Sequence, residues 1–275
     1  MKSDVLTAVV ADNTPRPPVA GWRASSSVAP RPEPKRRGQE TRVSGQTAYV
    51  LHRHMYKESS LILDVFSRDY GRVVLVAKGA KRPHSRLRHV LQSFQPLLLG
   101  WSGRTELRTL FSVEWMGGVA PLENAALFYG FYLNELLLKL LAREDPHPAL
   151  FDHYVRALTR FTRSESPQAV LRQFELAVLK ETGVAADLSV NRSNGQPIEP
   201  DEVYVVEPEG GPRPAQMGDT LPRVAGQTLI DMVNEDYGSA MTQTQSKLLM
   251  RSLLTYHLNG VPIQTRQILI DLLQL

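Results

Sequence analysis

The 275-residue sequence predicts an α+β protein, in which a small five-stranded β-barrel precedes a domain of α-helices. Two observations predict this fold class. Between residues 46 and 115, short segments rich in β-branched and aromatic residues alternate with turns, as the strands of a small barrel do. After Pro121 the apolar residues recur at helical spacing instead. Two domains also suit the length, since a single core rarely grows beyond about 250 residues.

Charge divides the chain in the same way. Residues 1–40 carry seven basic and four acidic groups, a net +3. Residues 41–120 carry twelve basic and five acidic groups, a net +7, whereas residues 121–275 carry thirteen and nineteen, a net −6. A basic domain joined to an acidic one predicts a polyanion on the first and protein contacts on the second.

Residues 1–41 are predicted to be a disordered basic tail rich in proline and serine, because their scattered apolar residues cannot offset the entropy of ordering. The sequence contains no cysteine, which excludes disulfides, thiolate metal sites and cysteine nucleophiles. No apolar run reaches the ~18–20 residues that a membrane helix needs. We therefore expect a cytoplasmic protein without a membrane partner.

The barrel is predicted over residues 42–119. Its strands are expected at Gln46–His52, Leu61–Phe66, Arg72–Lys78, Pro96–Trp101 and Glu106–Trp115. Five such strands fit a barrel of the OB type. In the link between the third and fourth strands, Ser85–Phe94 has apolar residues at i, i+3, i+4 and i+7, which predicts a short amphipathic helix. The outer face of that helix would carry Arg86 and Arg88.

The helical domain is predicted over residues 120–275. Its helices are expected at Leu122–Arg143, His147–Arg163, Pro167–Glu181, Gln227–Asn234, Ala240–Asn259 and Gln264–Leu273. Ser166 before Pro167 is typical of a helix start, and Gly183 of a helix end. Residues 184–225 are rich in Asn, Pro, Gly and Glu. They are predicted to be an irregular insert or a small subdomain with one strand, Glu202–Glu207.

The sequence shows no pattern of catalytic residues. It has neither a phosphate-cradling glycine loop nor a nucleophile-elbow pattern. His52 and His54 share one face of a strand, but no third metal ligand lies near them in the sequence. We therefore expect a protein that is not an enzyme and has no cofactor, no metal and no small-molecule substrate.

The strongest functional signal is the basic stretch from Gly71 to Leu99. No acidic residue occurs between Asp69 and Glu106, whereas seven Lys or Arg do. These seven are Arg72, Lys78, Lys81, Arg82, Arg86, Arg88 and Arg104. Such residues neutralise phosphates and release counterions, and OB barrels also stack bases on aromatic side chains. The candidate stacking residues are Tyr49, Tyr56, Tyr70 and Trp101, of which about half are expected to be core residues instead. A solvated basic loop without a ligand is the alternative interpretation.

Several segments, in this order, resemble the bacterial RecO family of DNA repair proteins. They are GRVVLVAKGAK, FYLNELLLKLLARED, LRQFELAVLKETGV and HLNGVPIQTR, and the resemblance covers residues 43–270. It implies an N-terminal OB domain, a C-terminal helical domain and a nucleoid-associated recombination mediator. Such a protein binds single- and double-stranded DNA and anneals complementary strands. With its partner RecR it helps to load RecA onto strands coated by the single-strand binding protein SSB.

The resemblance also implies two sets of site residues. By position, the DNA-contacting residues of the family match Arg72, Lys78, Lys81 and Arg82. Arg86, Arg88 and Arg104 are added to this set of DNA-contacting candidates because they are basic. In the helical domain, Arg172 resembles the basic residue that pairs with the C-terminal tail of SSB. Leu171 and Phe174 would help to receive the phenylalanine of that tail. A solvated helix residue is the alternative interpretation for Arg172.

Two features depart from the family pattern. Val184–Pro212 has none of the four cysteines with which some members bind zinc. Val261 and Gln264 stand where lysines often occur, which weakens the case for a DNA contact there. Two other functions stay open on the sequence alone. One is a protein-interaction adaptor for which DNA binding is incidental, and the other is an RNA-binding OB protein.

Overall fold

The structure, a computed structural model, describes residues 41–117, 120–163 and 165–273, with side chains from residue 42 to residue 268. The predicted tail, residues 1–41, therefore lies outside the described residues apart from Thr41. The barrel region comprises β1 (Thr41–Tyr56), β2 (Ser60–Ser67), β3 (Gly71–Ala77), α1 (Leu87–Val90), β4 (Leu97–Gly103) and β5 (Leu107–Trp115).

The five strands close into a barrel in the order β1-β2-β3-β5-β4. Strands β3 and β5 are parallel and all other neighbours are antiparallel. The predicted OB-type barrel is confirmed. Strand β1 is longer than predicted because it pairs with both β2 and β4. Its register shifts between Val43 and Gln46 and again between Val50 and His52.

The predicted helix Ser85–Phe94 is wrong in length, since α1 spans only Leu87–Val90. Its apolar positions do face the barrel, where Leu87 and Val90 pack against the core. Phe94 has a positive φ of 66° and belongs to a different core. Its ring packs against Phe131 of the helical domain at a centroid distance of 4.9 Å. The helix ends before Phe94 because the Phe94 side chain packs in the core of the helical domain and not against the barrel core.

The helical domain follows, and the predicted fold class is confirmed. Its helices are α2 (Ala125–Leu140), α3 (Pro148–Thr162), α4 (Pro167–Glu181), α5 (Gly226–Val233), α6 (Ala240–His257) and α7 (Gln264–Leu273). Their shared core includes the fully buried Leu133, Tyr154 and Leu249. Within the described ranges, no helix has both the length and the apolar character to cross a membrane.

The region 184–225, predicted to be an irregular insert or a small subdomain, forms a small sheet in part. Besides the predicted strand, β6 (Val203–Glu207), it contains β7 (Gly211–Pro214) and β8 (Arg223–Ala225) in an antiparallel sheet of order β7-β6-β8. Arg213 crosslinks this sheet, with Nε 2.7 Å from a Glu207 carboxylate oxygen and Nη2 2.6 Å from one of Asp219. The hydrogen bonds from Arg213 are the main reason that the pKa of Asp219 falls to about 2.

The barrel and the helices pack directly on each other. Tyr49 of β1 and Phe66 of β2 contact Phe151 of α3, with ring centroids 5.7 and 5.3 Å apart. Gly71 has a φ of +65°, and a Cβ there would lie 2.0 Å from the Asp145 carbonyl oxygen. Only glycine fits this close approach. The start of β3 is therefore fixed against the α2–α3 loop.

Candidate nucleic-acid interface

The residues that follow β3 form what we call the cationic segment, residues 78–88. Ala80, only 1% exposed, anchors the segment on the barrel core. Successive turns then hold the main chain: the Arg82 amide donates to the Gly79 carbonyl at 3.1 Å, and the Ser85 amide to the Arg82 carbonyl at 3.0 Å. Because the main chain makes these bonds, the long side chains are free to point away from the barrel.

Most cations of this segment have no acidic partner within the described part of the chain. Lys78, Arg82, Arg86 and Arg88 are exposed, and none forms an ion pair with any residue that the structure describes. Lys81 is half-buried, and its Nζ donates to the Lys57 carbonyl at 3.4 Å. Unpaired exposed cations close together create a positive potential that attracts a polyanion.

Two further cations adjoin the segment, and the sequence analysis did not select either. Lys57 lies in the β1–β2 turn, which abuts the segment because the Lys81 amide donates to the Ser59 carbonyl at 2.9 Å. Arg53 of β1 donates from Nη1 to the Leu91 carbonyl at 3.1 Å. Arg53 is exposed although it lies only two residues after the buried Leu51, because the register of β1 shifts between Val50 and His52, so simple alternation gives neither its direction nor its neighbour.

Arg72 lies apart from these residues and is largely buried. Its Nη1 donates to the Leu138 carbonyl of α2, and its Nε lies 3.9 Å from an Asp64 oxygen. Its carbonyl accepts from the Glu144 amide at 2.9 Å. Burial lowers the pKa of Arg72, an effect that the neighbouring Asp64 opposes. These contacts assign Arg72 to the junction between barrel and helices rather than to the cationic surface.

Arg104 is exposed, but the strand register separates it from the cationic segment. It lies in the β4–β5 turn, directly after Gly103. Leu107, three residues later, pairs with Val74 in the parallel β3–β5 ladder. Arg104 therefore lies at the start of β3, whereas Lys78 follows the end of β3. Seven residues of strand span about 23 Å, so one short stretch of phosphates does not contact both.

The candidate stacking residues divide into core and surface. Tyr49 and Trp101 are buried, so these two belong to the half of the candidates that was expected in the core. Burial raises the pKa of Tyr49 to about 12. Tyr70 is half-buried against Trp101, with ring centroids 5.4 Å apart. Tyr56 alone lies beside the cationic surface, where the Lys57 ammonium is 5.3 Å from its ring centroid.

Two exposed aromatic residues of β5, Phe111 and Trp115, were missed because that strand was interpreted as a barrel wall without regard to its outward face. Phe111 is 42% exposed and Trp115 is 57% exposed. The two residues lie four positions apart, and this even spacing along one strand was the signal that could have found them. Of the two, Trp115 lies at the end of β5 that pairs with the first residue of β4, where the segment after β3 finishes.

In the helical domain, Arg172 is largely buried and paired. Its Nη2 donates to Oε1 of Glu175, one helical turn later. The Tyr132 hydroxyl donates to the same oxygen at 2.6 Å. Glu175 is only 1% exposed, and burial raises its pKa while the charge of Arg172 opposes the shift. The interpretation of Arg172 as a solvated residue is therefore wrong.

The neighbours predicted for Arg172 differ in exposure. Phe174 is a core residue, 2% exposed and 6.2 Å from Tyr154 between ring centroids, so its ring is not available at the surface. Leu171 is half-buried and packs at the edge of the core. Phe174 is therefore not able to contact a ligand directly, whereas Leu171 can contribute to a binding surface.

Two more arginines gather near Arg172, and sequence reasoning did not assign them there. Burial lowers the pKa of Arg266 of α7, and the nearby charges of Arg251 and Arg172 lower it further. Arg251 of α6 is exposed. The charges of Arg172 and Arg266 thus act on the buried Glu175 carboxylate, and Arg251 acts on Arg266, which leaves this group of residues with a net positive charge. Helices far apart in sequence supply these cations, so periodicity alone could not join them.

Comparison with known proteins adds independent information. The sequence matches the family described as Recombination protein O N terminal over residues 43–119, and Recombination protein O C terminal over residues 123–266. The chain belongs to the RecO family. It is 54% identical over 261 residues to a DNA repair protein RecO of Ralstonia nicotianae, covering 93% of this chain and 96% of that protein.

Other members of the family are similar over comparable lengths. The chain is 52% identical over 259 residues to a DNA repair protein RecO of Burkholderia pseudomallei, covering 93% of this chain and 94% of that protein. It is 48% identical over 238 residues to one of an Azoarcus species, covering 85% of this chain and 98% of that protein. The likeness thus spans the barrel and the helical domain together.

Proposed function

We propose that this chain is a DNA-binding recombination mediator, which anneals complementary strands and, with RecR, helps to load RecA onto SSB-coated DNA. A role in DNA repair and recombination follows from membership of the RecO family. The observation that carries the DNA-binding step is the cationic segment, whose exposed lysines and arginines lack acidic partners among the described residues.

Annealing follows from the electrostatics of this surface. Two complementary strands repel each other through their phosphates, and cations held between them lower that repulsion. Lys78, Lys81 and Arg82 supply adjacent positive charges, and Lys57 joins them from the neighbouring turn. Because these contacts go to phosphates, they are independent of base sequence, as an annealing protein requires.

The helical domain is the proposed contact for the acidic tail of SSB. The cluster of Arg172, Arg251 and Arg266 supplies more positive charge than Glu175 neutralises. Leu171 gives the apolar neighbour that a phenylalanine side chain would need. Arg251 is the most exposed cation of this cluster, so we propose that it binds the carboxylates of the tail directly.

Charge reversal of the cationic segment tests annealing. The variant Lys78→Glu, Lys81→Glu, Arg82→Glu should lose at least about 90% of the annealing rate of complementary oligonucleotides, because each phosphate contact becomes a repulsion. A matched variant reverses three exposed cations of the helical domain, Arg163, Lys180 and Lys247, and should keep most of that rate. Equal rates for the two variants, both folded by circular dichroism, would refute the proposed role of the segment.

Replacing Arg251 by alanine tests the tail contact without disturbing the buried pair. Binding of a fluorescent acidic peptide that ends in phenylalanine should weaken about tenfold, the loss expected for one charge-assisted contact. Arg163→Ala should leave peptide binding unchanged. Unchanged peptide binding by the Arg251→Ala variant would mean that the SSB tail binds at another site.

The alternative functions give different outcomes in these assays. An adaptor would bind the acidic peptide yet anneal no faster than the charge-reversed variant. An RNA-binding protein would prefer an RNA oligonucleotide over DNA of the same sequence, because the 2′-hydroxyl allows that discrimination. The proposed mediator should bind DNA at least as tightly as RNA.

A further inference from the structure

A cleft of about 630 Å³ opens where the chain after the cationic segment meets the end of β5 and the start of the helical domain. Its walls include the aromatic side chains of Phe94 and Trp115 and the aliphatic ones of Leu122 and Leu127. The volume falls within the roughly 300–1,000 Å³ of pockets that hold small ligands. The cleft is therefore large enough for a planar ring system.

Trp115 is the accessible aromatic group of this cleft. The side chain is 57% exposed, whereas Phe94 is 5% exposed. Its indole Nε1 donates to Oε1 of Gln95 at 3.0 Å. This hydrogen bond fixes the edge of the indole while much of the ring stays reachable from solvent. A fixed, exposed ring is a suitable stacking partner for another flat group.

Amide groups complete the lining. Gln92 and Gln95 both border the cleft. The Gln92 side chain is held by its donation to the Arg88 carbonyl at 2.8 Å, and its oxygen accepts from Arg53 at 3.4 Å. Side-chain amides donate and accept together, which suits the mixed edges of nucleobases. The cleft thus combines an apolar wall with a few polar groups.

The cleft directly continues the cationic segment. His89 lines it and follows Arg88 in the chain, while Arg86 precedes α1 by one residue. A DNA strand whose phosphates lie at Arg86 and Arg88 therefore has a base beside the cleft. Charge also argues against the chain's own residues 1–40 as the occupant, since their net charge of +3 would be repelled here.

We infer that this cleft takes one unstacked nucleobase of a single DNA strand, stacked on Trp115, while Arg86 and Arg88 hold the adjacent phosphates. The inference rests on the proposed DNA-binding function and adds a base contact to it. It gives single strands an attraction that duplex DNA lacks, because a paired base cannot enter the cleft without unstacking.

An abasic oligonucleotide separates base contacts from phosphate contacts. The full chain is titrated by fluorescence anisotropy with an oligodeoxythymidine of about 15 nucleotides and with an abasic strand of the same length. The wild-type chain should bind the thymidine strand about tenfold tighter, the effect of one stacked base. Trp115→Ala should lose this preference while its affinity for the abasic strand stays unchanged. Trp115→Phe should keep most of the preference.

Phe111→Ala is the matched control, since Phe111 is an exposed aromatic residue of the same strand that lies outside the cleft. It should keep the wild-type preference. A Trp115→Ala variant that keeps the preference, or that weakens binding to both strands equally, overturns the inference. In the first case the cleft is better explained as a protein-docking surface.

The behaviour of the wild-type chain separates the two proposals. Salt-sensitive binding to both strands with equal affinity would overturn the base contact and leave DNA binding by the cationic segment intact. Binding to neither strand would overturn both the proposed function and the base contact.

Discussion

The protein holds two clusters of cations that differ in how their charges are balanced. In the cationic segment, Lys78, Arg82 and Arg88 are exposed and lack acidic partners among the described residues. In the helical domain, Arg172 is 12% exposed at its side chain and pairs with the buried Glu175. The first cluster is available to a ligand, whereas much of the second is used to neutralise a buried charge.

This difference shows why residue type alone does not define a binding site. An exposed cation loses little hydration when it meets a phosphate, and counterion release favours the contact. A buried carboxylate needs the charge of a neighbouring arginine, and removal of that arginine leaves an uncompensated charge in the core. Substitutions in the two clusters should therefore affect different properties, binding in the first and stability in the second.

The largest expected effect on stability is that of Arg172→Ala. It should lower the free energy of unfolding by about 3–5 kcal/mol, because Glu175 is left buried without its partner. Arg88→Ala should change the same quantity by no more than about 0.5 kcal/mol, as exposed substitutions do. Urea denaturation measures both. Similar losses for the two variants would break the distinction between the clusters.

A smaller effect on stability is expected at Gly130 of α2, which lies behind Phe94 and Leu122 of the cleft that Trp115 lines. A Cβ there would lie 2.7 Å from Cδ1 of Leu122 and 2.8 Å from the ring of Phe94. Both neighbours are buried, so Gly130→Ala should destabilise the chain by about 1–3 kcal/mol through overpacking. Thermal unfolding measures this loss. A stabilised variant would mean that Phe94 moves freely, and the cleft would then lack a fixed wall.

The pH dependence of stability sharpens the account of the buried pair. Burial raises the folded-state pKa of Glu175 above its ordinary 4.5. The folded chain therefore binds the proton of Glu175 more tightly than the unfolded chain does. The contribution of this group to the free energy of unfolding is most favourable below pH 4.5 and is lost as pH rises through the folded-state pKa. Glu175→Gln should remove this fall in the free energy of unfolding with rising pH. Parallel stability profiles for the wild type and the variant would show that Glu175 does not titrate as described.

The barrel was predictable because its strands carry a simple apolar pattern and its links are marked by turn residues. Strands β7 and β8 were missed because Gly211–Pro214 is rich in glycine and proline, and β8 has only three residues. Both strands pair with β6, and Arg213 links β7 to Glu207 of that strand, contacts that no local pattern reveals. The α4 helix was found with its full bounds, since Ser166 and Pro167 mark its start.

The candidate site was only partly predictable. The cations of the segment follow from the absence of nearby acidic residues in sequence, but Lys57 joins them through the β1–β2 turn and Arg53 lies nearby through its hydrogen bond to the Leu91 carbonyl. The spacing of Arg172 and Glu175, i and i+3, is one at which ion pairs form on a helix, but the sequence analysis did not predict this pair. Its burial depends on how α2, α4 and α6 pack, and three-dimensional packing of that kind is not encoded in the spacing.

The salt dependence of single-strand binding tests the central claim most directly. If about five phosphates are neutralised, log affinity should fall with log salt at a slope near −3.5, since each contact contributes about 0.7. The variant Lys78→Ala, Lys81→Ala, Arg82→Ala should reduce this slope to about −1.4. The corresponding alanine variant at Arg163, Lys180 and Lys247 should keep the wild-type slope. An unchanged slope in the first variant would contradict the assignment of DNA binding to the cationic segment.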